Sequence, residues 1–340
     1  MTGLSETSRV GDEASESIGS ALMQAARDHK VILVLLVIML VIPAIWAPEF
    51  FSVQNLINVA RQAAITGVVA VGMTFVILTS GIDLSVGSIL ALCGLIFALL
   101  IKADVGIPIA IIVAMGLGVL VGIINGIGVT FLAIQPFIMT LATMAIASGV
   151  GLLISNGTPI AFDTTSGIVA LLGNGNAAGL PGPVIVFILV ALAGAFVLRY
   201  LPFGRFVYGI GGGLEAARLS GVRTARVLIM VYSISGLCAS IAGIITTCRL
   251  FVGHPTAGGF IMLDSIAAVV IGGTSLMGGR GGVIGTVAGV VLLAMVANLL
   301  NLLGVSPFNQ QVAKGAIIIL AVLFTAQGMR ERLIEQWNAL

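Results

Sequence analysis

Charged residues are scarce in this 340-residue chain. Asp, Glu, Lys and Arg together make up 8% of it, whereas hydrophobic residues make up 59% and the mean hydropathy is +1.21. A soluble globular chain carries about 25% charged residues, so this chain has too few charges to cover a surface that faces water. The lipid bilayer is therefore expected to be the solvent for most of the chain.

Cysteine and histidine are also rare, and the motifs that they would build are missing. The three cysteines lie in apolar stretches without a CxxC pair, and neither of the two histidines lies near enough to complete a zinc site. No P-loop, G-x-S-x-G elbow or H-E-x-x-H pair occurs. We therefore expect no metal, no cofactor, no catalytic residue and no ATP bound by this chain. The net charge of +2 gives no indication of nucleic-acid binding.

Long apolar runs are what the sequence has in abundance. A membrane-spanning helix needs about 20 apolar residues, and the runs that satisfy or approach this length are 31–47, 63–78, 84–101, 107–129, 137–154, 184–201, 227–250, 263–271, 283–303 and 312–326. The pattern predicts an all-α membrane protein of about ten transmembrane helices. Short broken or half helices are expected near 79–85 and 263–280.

The distribution of basic residues predicts the orientation of these helices. Eleven of the 15 Lys and Arg residues fall on the side that holds both termini; the other four are Arg61, Lys102, Arg249 and Lys314. By the positive-inside rule both termini are then cytoplasmic. Residues 1–30 and 329–340 are predicted to be cytoplasmic tails that flank a single transmembrane domain, 31–328. Within this domain, 202–226 is a cytoplasmic loop and 155–183 a periplasmic loop.

Glycine is abundant, at 45 residues, and part of it falls at four-residue spacing within the apolar runs. Gly118, Gly122 and Gly126 form a double GxxxG, and Gly285 and Gly289 form another. In lipid, helices associate through close backbone contact at small residues. We expect these glycines to pack helices within the chain, with a dimer seam as the alternative.

The cytoplasmic loop 202–226 has the features of a docking site. Residues 215–219 favour a short helix, and Gly221 lies at a suitable position to end it. A short amphipathic helix on this side of the membrane is suited to a groove on a partner protein. The alternative is a solvated linker.

Three stretches and one short motif resemble a known family. Glu215-Ala216-Ala217 followed by Gly221 is similar to the EAA-type coupling motif of ABC importer permeases. The stretch GMTFVILTSGIDLSVGS at 72–88 resembles the ribose-type branch of that family, as do DSIAAVVIGGTSLMGG at 264–279 and NLLGV at 301–305. The likeness covers the chain from about residue 31 to residue 326.

The resemblance implies the function and the partners. The chain would be the permease subunit of an ATP-driven importer in the bacterial inner membrane, with a pentose, hexose or related polyol as its substrate. A homodimer, two ATP-binding cassette subunits and a periplasmic sugar-binding protein are implied as well. The residues that would couple this chain to the ATPase are Glu215, Ala216, Ala217, Arg218 and Gly221.

A neutral sugar needs hydrogen-bonding groups rather than charges along its path. The broken segments near 79–85 and 272–280 supply hydroxyls beside glycines, and a few amides lie in or next to the spans. The candidates for the translocation pathway are Thr79, Ser80, Asp83, Ser85, Asn125, Gln135, Thr274, Ser275, Asn298 and Asn301. Asp83 has an alternative role as a helix cap.

Two other classes of function are alternatives to the importer permease. An ion-coupled secondary sugar transporter usually has ionisable residues deep within its spans, whereas Asp83 and Asp264 lie near predicted span ends. An intramembrane enzyme needs a catalytic dyad within the spans, and no convincing dyad is evident. We therefore expect a transport subunit that is not itself an enzyme, with ATP hydrolysed by a partner.

Overall fold

The computed structural model describes residues 47–316 except 165, 178 and 307, together with residues 41, 43, 45 and 319. A short 3-10 helix occupies Pro48–Phe51. The α-helices that follow are, in chain order, α1 Val53–Leu78, α2 Val86–Lys102, α3 Ile107–Thr130, α4 Pro136–Ser155, α5 Gly167–Gly173, α6 Gly182–Tyr200, α7 Pro202–Gly212, α8 Leu214–Leu219, α9 Thr224–Leu250, α10 Ile261–Ile271 and α11 Val283–Leu302. Residues 308–316 are also helical.

The prediction of an all-α membrane protein is confirmed. Within the described part of the chain, the six helices α1, α3, α4, α6, α9 and α11 are long and apolar enough to cross a membrane. Helices α2 and α10 are apolar but shorter, with 17 and 11 residues. The eighth predicted segment is thus short, as expected. The predicted spans 31–47 and 312–326 and both predicted tails lie wholly or largely outside the described residues.

Helix α1 begins ten residues before the span that its apolar pattern predicts. Residues 54–62 contain several polar side chains and so fall outside the apolar run, yet they are helical. The Ser52 hydroxyl accepts a hydrogen bond from the Asn55 amide at 3.3 Å, which caps the helix there. Four other helices, α3, α4, α6 and α7, have proline in their first turn, where its missing N–H is harmless.

Helix α1 is the most deeply buried of the six long apolar helices in the described part of the chain. From Ala63 to Leu78 nearly every residue is buried, and the helix packs against α6, α9, α10 and α11. Phe75 and Met73 are among the largest of its fully buried side chains. Because four helices cover α1, the parts of its surface that remain exposed are candidates for a functional role.

Glycines bring α3 and α9 into backbone contact. A Cβ atom at Gly118 would lie 2.5 Å from the Gly236 carbonyl oxygen, and one at Gly126 would lie 2.5 Å from the Ile229 Cα atom. No residue larger than glycine fits at that separation without a shift of the helices. The expected packing role of this GxxxG pattern within the chain is confirmed.

Helices α10 and α11 form an antiparallel hairpin through a non-helical loop, 272–282. Gly285 and Gly289 of α11 pack against the backbone of Gly272 and Ala268, which confirms the packing role of the second GxxxG pattern. The loop contains four glycines with positive φ, where other residues are strained: Gly273, Gly278, Gly279 and Gly281. Because α10 has 11 residues, it is about 16 Å long and reaches only partway through a bilayer.

The segment 155–183 lies at the end of the bundle where α9 finishes. It contains α5 and three two-residue strands: β1 Ile160–Ala161, β2 Asn176–Ala177 and β3 Leu180–Pro181. Strand β1 pairs antiparallel with β4, Val252–Gly253, and β2 pairs with β3. The two loops predicted on opposite faces of the membrane therefore lie at opposite ends of the bundle, since α7 and α8 precede the start of α9.

Candidate functional site

The predicted coupling segment folds into two consecutive helices, α7 and α8. Helix α8 places Glu215 and Arg218 in solvent, with side chains 76% and 72% exposed. Ala216 is also exposed, Ala217 is the one buried residue of α8, and Gly221 ends the turn with a φ of 83°. Leu219 of the same helix is 87% exposed. The segment thus presents charged and apolar side chains together on an open surface.

Helix α7 connects this surface to the interior of the bundle. Its Gly211 packs against the Leu78 carbonyl oxygen at the end of α1 and against Gly279. The Gly279 amide donates to the same Leu78 oxygen at 3.0 Å. Burial raises the pKa of the Tyr208 hydroxyl, which stays protonated and donates to the Gly281 carbonyl at 2.9 Å. Helix α7, the end of α1 and the 272–282 loop are therefore tied together at one junction.

Four predicted pathway residues lie at this junction. Thr79 donates to the Val76 carbonyl at 2.8 Å, and Ser80, at a φ of 62°, donates to the Met277 carbonyl at 2.6 Å. In the 272–282 loop, Thr274 accepts from the Gly282 amide at 3.3 Å and Ser275 accepts from the Met277 amide at 3.2 Å. The hydroxyls of these four residues thus bond to nearby backbone groups.

Asp83 is the centre of a second group, which is fully buried. Its Oδ1 atom accepts from the Ser85 amide at 3.0 Å and from the Ser85 hydroxyl at 2.5 Å, and its Oδ2 atom accepts from the Ser235 hydroxyl at 2.8 Å. Asn125 donates to the Ser85 oxygen at 2.9 Å and accepts from the Thr143 hydroxyl at 2.6 Å. Each of these side chains has a polar partner.

The Asp83 network, which comprises Asp83, Ser85, Asn125, Thr143 and Ser235, ties four helices together. It joins the start of α2 to α3, α4 and α9. Asp83 accepts a hydrogen bond from the Ser85 amide just before α2, an interaction similar to the helix cap that the sequence offered as an alternative role. Ser235, which donates to Asp83, and Thr143, which donates to Asn125, were not identified from the sequence, because they lie on helices that only the fold brings together.

The remaining predicted pathway residues lie elsewhere. Asn298 of α11 exchanges two hydrogen bonds, of 2.7 and 2.8 Å, with Asn55 near the start of α1. Asn301 accepts from Gln310 at 2.7 Å. Gln135 precedes α4 and is exposed, close to the end that holds α7 and α8. The ten candidates are thus distributed between the two ends of the bundle and do not form one continuous group.

A further polar cluster was not predicted. The Nζ atom of Lys314 lies 2.7 Å from Oδ2 of Asp264 in the first turn of α10, and the two side chains are only 15% and 20% exposed. They line a small open recess of about 20 Å³ together with Gln62 and Thr66 of α1 and several apolar residues. The only signal in the sequence was the opposite charge of two residues in separate apolar runs. Among the described residues, no group of His, Cys, Asp and Glu is suited to a metal ion.

Comparison with known proteins identifies the family. Residues 55–322 match the family model described as the branched-chain amino acid transport system / permease component. The chain is 42% identical over 298 residues to the ribose import permease protein RbsC of Escherichia coli K12. The aligned region covers 87% of this chain and 92% of the relative. The chain is also 47% identical over 288 residues to the Bacillus subtilis 168 protein of the same name, covering 85% and 89% of the two chains.

A relative that is named for another sugar matches as well. The xylose transport system permease protein XylH of E. coli K12 is 36% identical over 336 residues, which covers 80% of this chain and 85% of the relative. No solved structure matches the chain significantly. The bacterial permease relatives and the six apolar helices indicate a multi-pass protein of the inner membrane. The chain therefore belongs to the branched-chain amino acid transport system / permease component family, among the ribose-type ABC importer permeases.

Proposed function

We propose that this chain is the permease subunit of an ATP-binding-cassette importer and provides the passage for a monosaccharide. The observation that carries the proposal is the identity of 42 and 47% with two ribose import permeases over most of the chain. The xylose permease relative extends the proposed substrates to pentoses, hexoses and related polyols. The names of these relatives do not favour an ion-coupled secondary transporter.

Helices α7 and α8 are proposed to receive the force of ATP hydrolysis from a partner subunit. Exposed Glu215, Arg218 and Leu219 would dock in a groove on that subunit. Movement of α8 would pass through α7 to the contact of Gly211 with Leu78 and Gly279. Because this junction holds the end of α1 and the α10–α11 loop together, it is suited to opening and closing one end of the passage.

The remaining topology and partners are part of the same proposal. The chain would have about ten spans with both termini in the cytoplasm, a transmembrane domain at 31–328 and tails at 1–30 and 329–340. Helices α7 and α8 would then face the cytoplasm, and 155–183 would face the periplasm and a sugar-binding protein. A second copy would complete the passage as a homodimer. No cofactor is bound by the chain itself, because ATP is bound by the partner.

Co-purification from native membranes tests this proposal. Tagged chain should bring down an ATP-binding cassette protein, identified by mass spectrometry and by its ATP hydrolysis. Leu219→Asp should abolish this capture, because it places a charge in the apolar part of the docking surface. Leu180→Asp is a matched control, since Leu180 is 46% exposed at the opposite end of the bundle. Absence of any such ATPase, or equal loss with both variants, would contradict the proposal.

A further inference from the structure

Helix α1 is partly exposed along its first ten residues in the described part of the chain, and its exposed polar side chains there share one face. Gln54, Asn58 and Gln62 are exposed and Thr66 is half-buried. Residues four apart lie on the same face of a helix, so these side chains form a stripe that runs from the start of α1 to its midpoint. We call these four residues the polar stripe. No apolar side chain interrupts this four-residue spacing.

The amides of the polar stripe lack partners in the described part of the chain. Gln54, Asn58 and Gln62 make no side-chain hydrogen bond there, whereas Asn55 on the same helix bonds to Phe50 and Asn298. Primary amides that face lipid are costly because lipid offers no hydrogen bonds. The stripe is therefore expected to face water or a ligand that can replace water.

The part of the polar stripe nearest the middle of α1 borders the recess beside Asp264 and Lys314. This recess is lined on one side by Gln62 and Thr66 and on the other by the middle of α11, with Val290, Leu293, Ala294 and Ala297. Asp264 is in the first turn of α10, near a span end as predicted, but because α10 is short the ion pair lies beside the middle of α11, deeper than the sequence indicated. Ionisable residues at that depth generally mark a substrate pathway.

We propose that the polar stripe and the Asp264–Lys314 pair form a section of the sugar passage, in which they bind the hydroxyls of a monosaccharide in transit. The inference rests on the proposed function and adds residues to it. Amide groups both donate to and accept from hydroxyls, and the apolar wall of α11 suits the C–H faces of a sugar ring. The ion pair of Asp264 and Lys314 carries no net charge, which suits a neutral ligand.

Thiol accessibility tests whether the stripe faces water. In membranes from cells that express the whole importer, Asn58→Cys and Gln62→Cys should react with a membrane-impermeant methanethiosulfonate, because a thiolate forms only in contact with water. Leu56→Cys is the matched control: Leu56 is 44% exposed on the opposite side of the same helix turns and should not react. The native Cys93, Cys238 and Cys248 are buried and give a low background. Equal reactivity at all three positions, or no reaction at positions 58 and 62, would overturn the inference, the latter result indicating lipid or a second copy over the stripe.

Uptake of D-ribose tests whether the stripe binds sugar. In proteoliposomes with the permease, its ATPase and its binding protein, Gln62→Leu should lower the initial rate about tenfold, as expected for the loss of about two hydrogen bonds. ATP hydrolysis stimulated by the binding protein should persist, because the coupling helices are unchanged. Leu56→Ala should keep the full uptake rate. Unchanged uptake by Gln62→Leu would overturn the inference alone, whereas no ATP-dependent uptake of ribose, xylose or a hexose by the wild type would contradict the proposed function as well.

Discussion

Asp83 and Asp264 are both acidic residues in the apolar body of the chain, yet their surroundings differ. Asp83 is fully buried, and each of its carboxylate oxygens accepts from a side-chain hydroxyl of the same network. Asp264 pairs with Lys314 at the wall of an open recess, next to amides with no described partner. A polar group whose partners are all internal stabilises the packing of helices. A polar group beside an opening remains available to a ligand.

Polar residues inside a membrane protein can have two roles: they can hold helices together, or they can bind a ligand. Hydroxyls and amides were candidates for the pathway because lipid cannot satisfy them. Protein can satisfy them instead, as it does for Ser85 and Asn125. The Asp83 network is therefore expected to affect stability more than the rate of sugar transport, and the Asp264–Lys314 pair is expected to do the reverse.

The largest effect on stability is expected from Asp83→Ala. This change removes the acceptor of two buried hydroxyls and of one backbone amide. A buried group left without its hydrogen-bond partner costs about 1–3 kcal/mol, so the free energy of unfolding should fall by about 4 kcal/mol. Thermal unfolding of the purified protein in detergent measures the change. A melting temperature equal to that of the wild type would show that the network is not a structural tie.

Asp264→Ala should lower transport more than stability. The variant leaves Lys314 without its partner beside the recess; because water reaches the recess, the free energy of unfolding should fall by about 2 kcal/mol, less than the roughly 3–5 kcal/mol expected for a fully buried pair. Initial sugar uptake should fall about tenfold. The exchange of both charges, Asp264→Lys with Lys314→Asp, should recover part of the uptake because it restores a neutral pair. A severe loss of stability with Asp264→Ala would remove the distinction between the two carboxylates.

The smallest effect is expected from Tyr232→Phe. The Tyr232 hydroxyl is buried near Gly81 and has no hydrogen-bond partner among the described residues. An unsatisfied buried hydroxyl is unfavourable, so its removal should raise the free energy of unfolding by about 1 kcal/mol and leave sugar uptake unchanged. The same thermal assay checks it. A fall in stability would indicate that the hydroxyl belongs to the Asp83 network through a partner outside the protein chain.

The apolar runs predicted the six long apolar helices of the described residues, because a spanning helix in lipid requires a long stretch of apolar residues. The same criterion misplaced the start of α1. It excluded 54–62, whose amides lower the local hydropathy, although Ser52 caps the helix before them. The four-residue spacing of Gln54, Asn58 and Gln62 was present in the sequence, but it becomes a helix face only once α1 extends to residue 53.

The polar clusters were harder to predict than the helices. Asp83 and Ser85 are neighbours in sequence, and the capping alternative anticipated a local bond of this kind. Ser235 of α9 reaches Asp83, and Thr143 of α4 reaches Asn125 of α3, only through the packing of helices that are distant in sequence. Lys314 and Asp264 are 50 residues apart in separate apolar runs. Neither the distance nor the recess follows from composition or spacing.

ATP-driven sugar uptake with and without the partner ATPase tests the central claim most directly. Proteoliposomes that contain the chain, a sugar-binding protein and the ATPase should accumulate sugar against its gradient when ATP is supplied. Omission of the ATPase, or replacement of the chain by its Leu219→Asp variant, should abolish accumulation, while collapse of proton and sodium gradients should have no effect. Accumulation by the chain alone, or its loss on collapse of an ion gradient at constant ATP, would contradict the account.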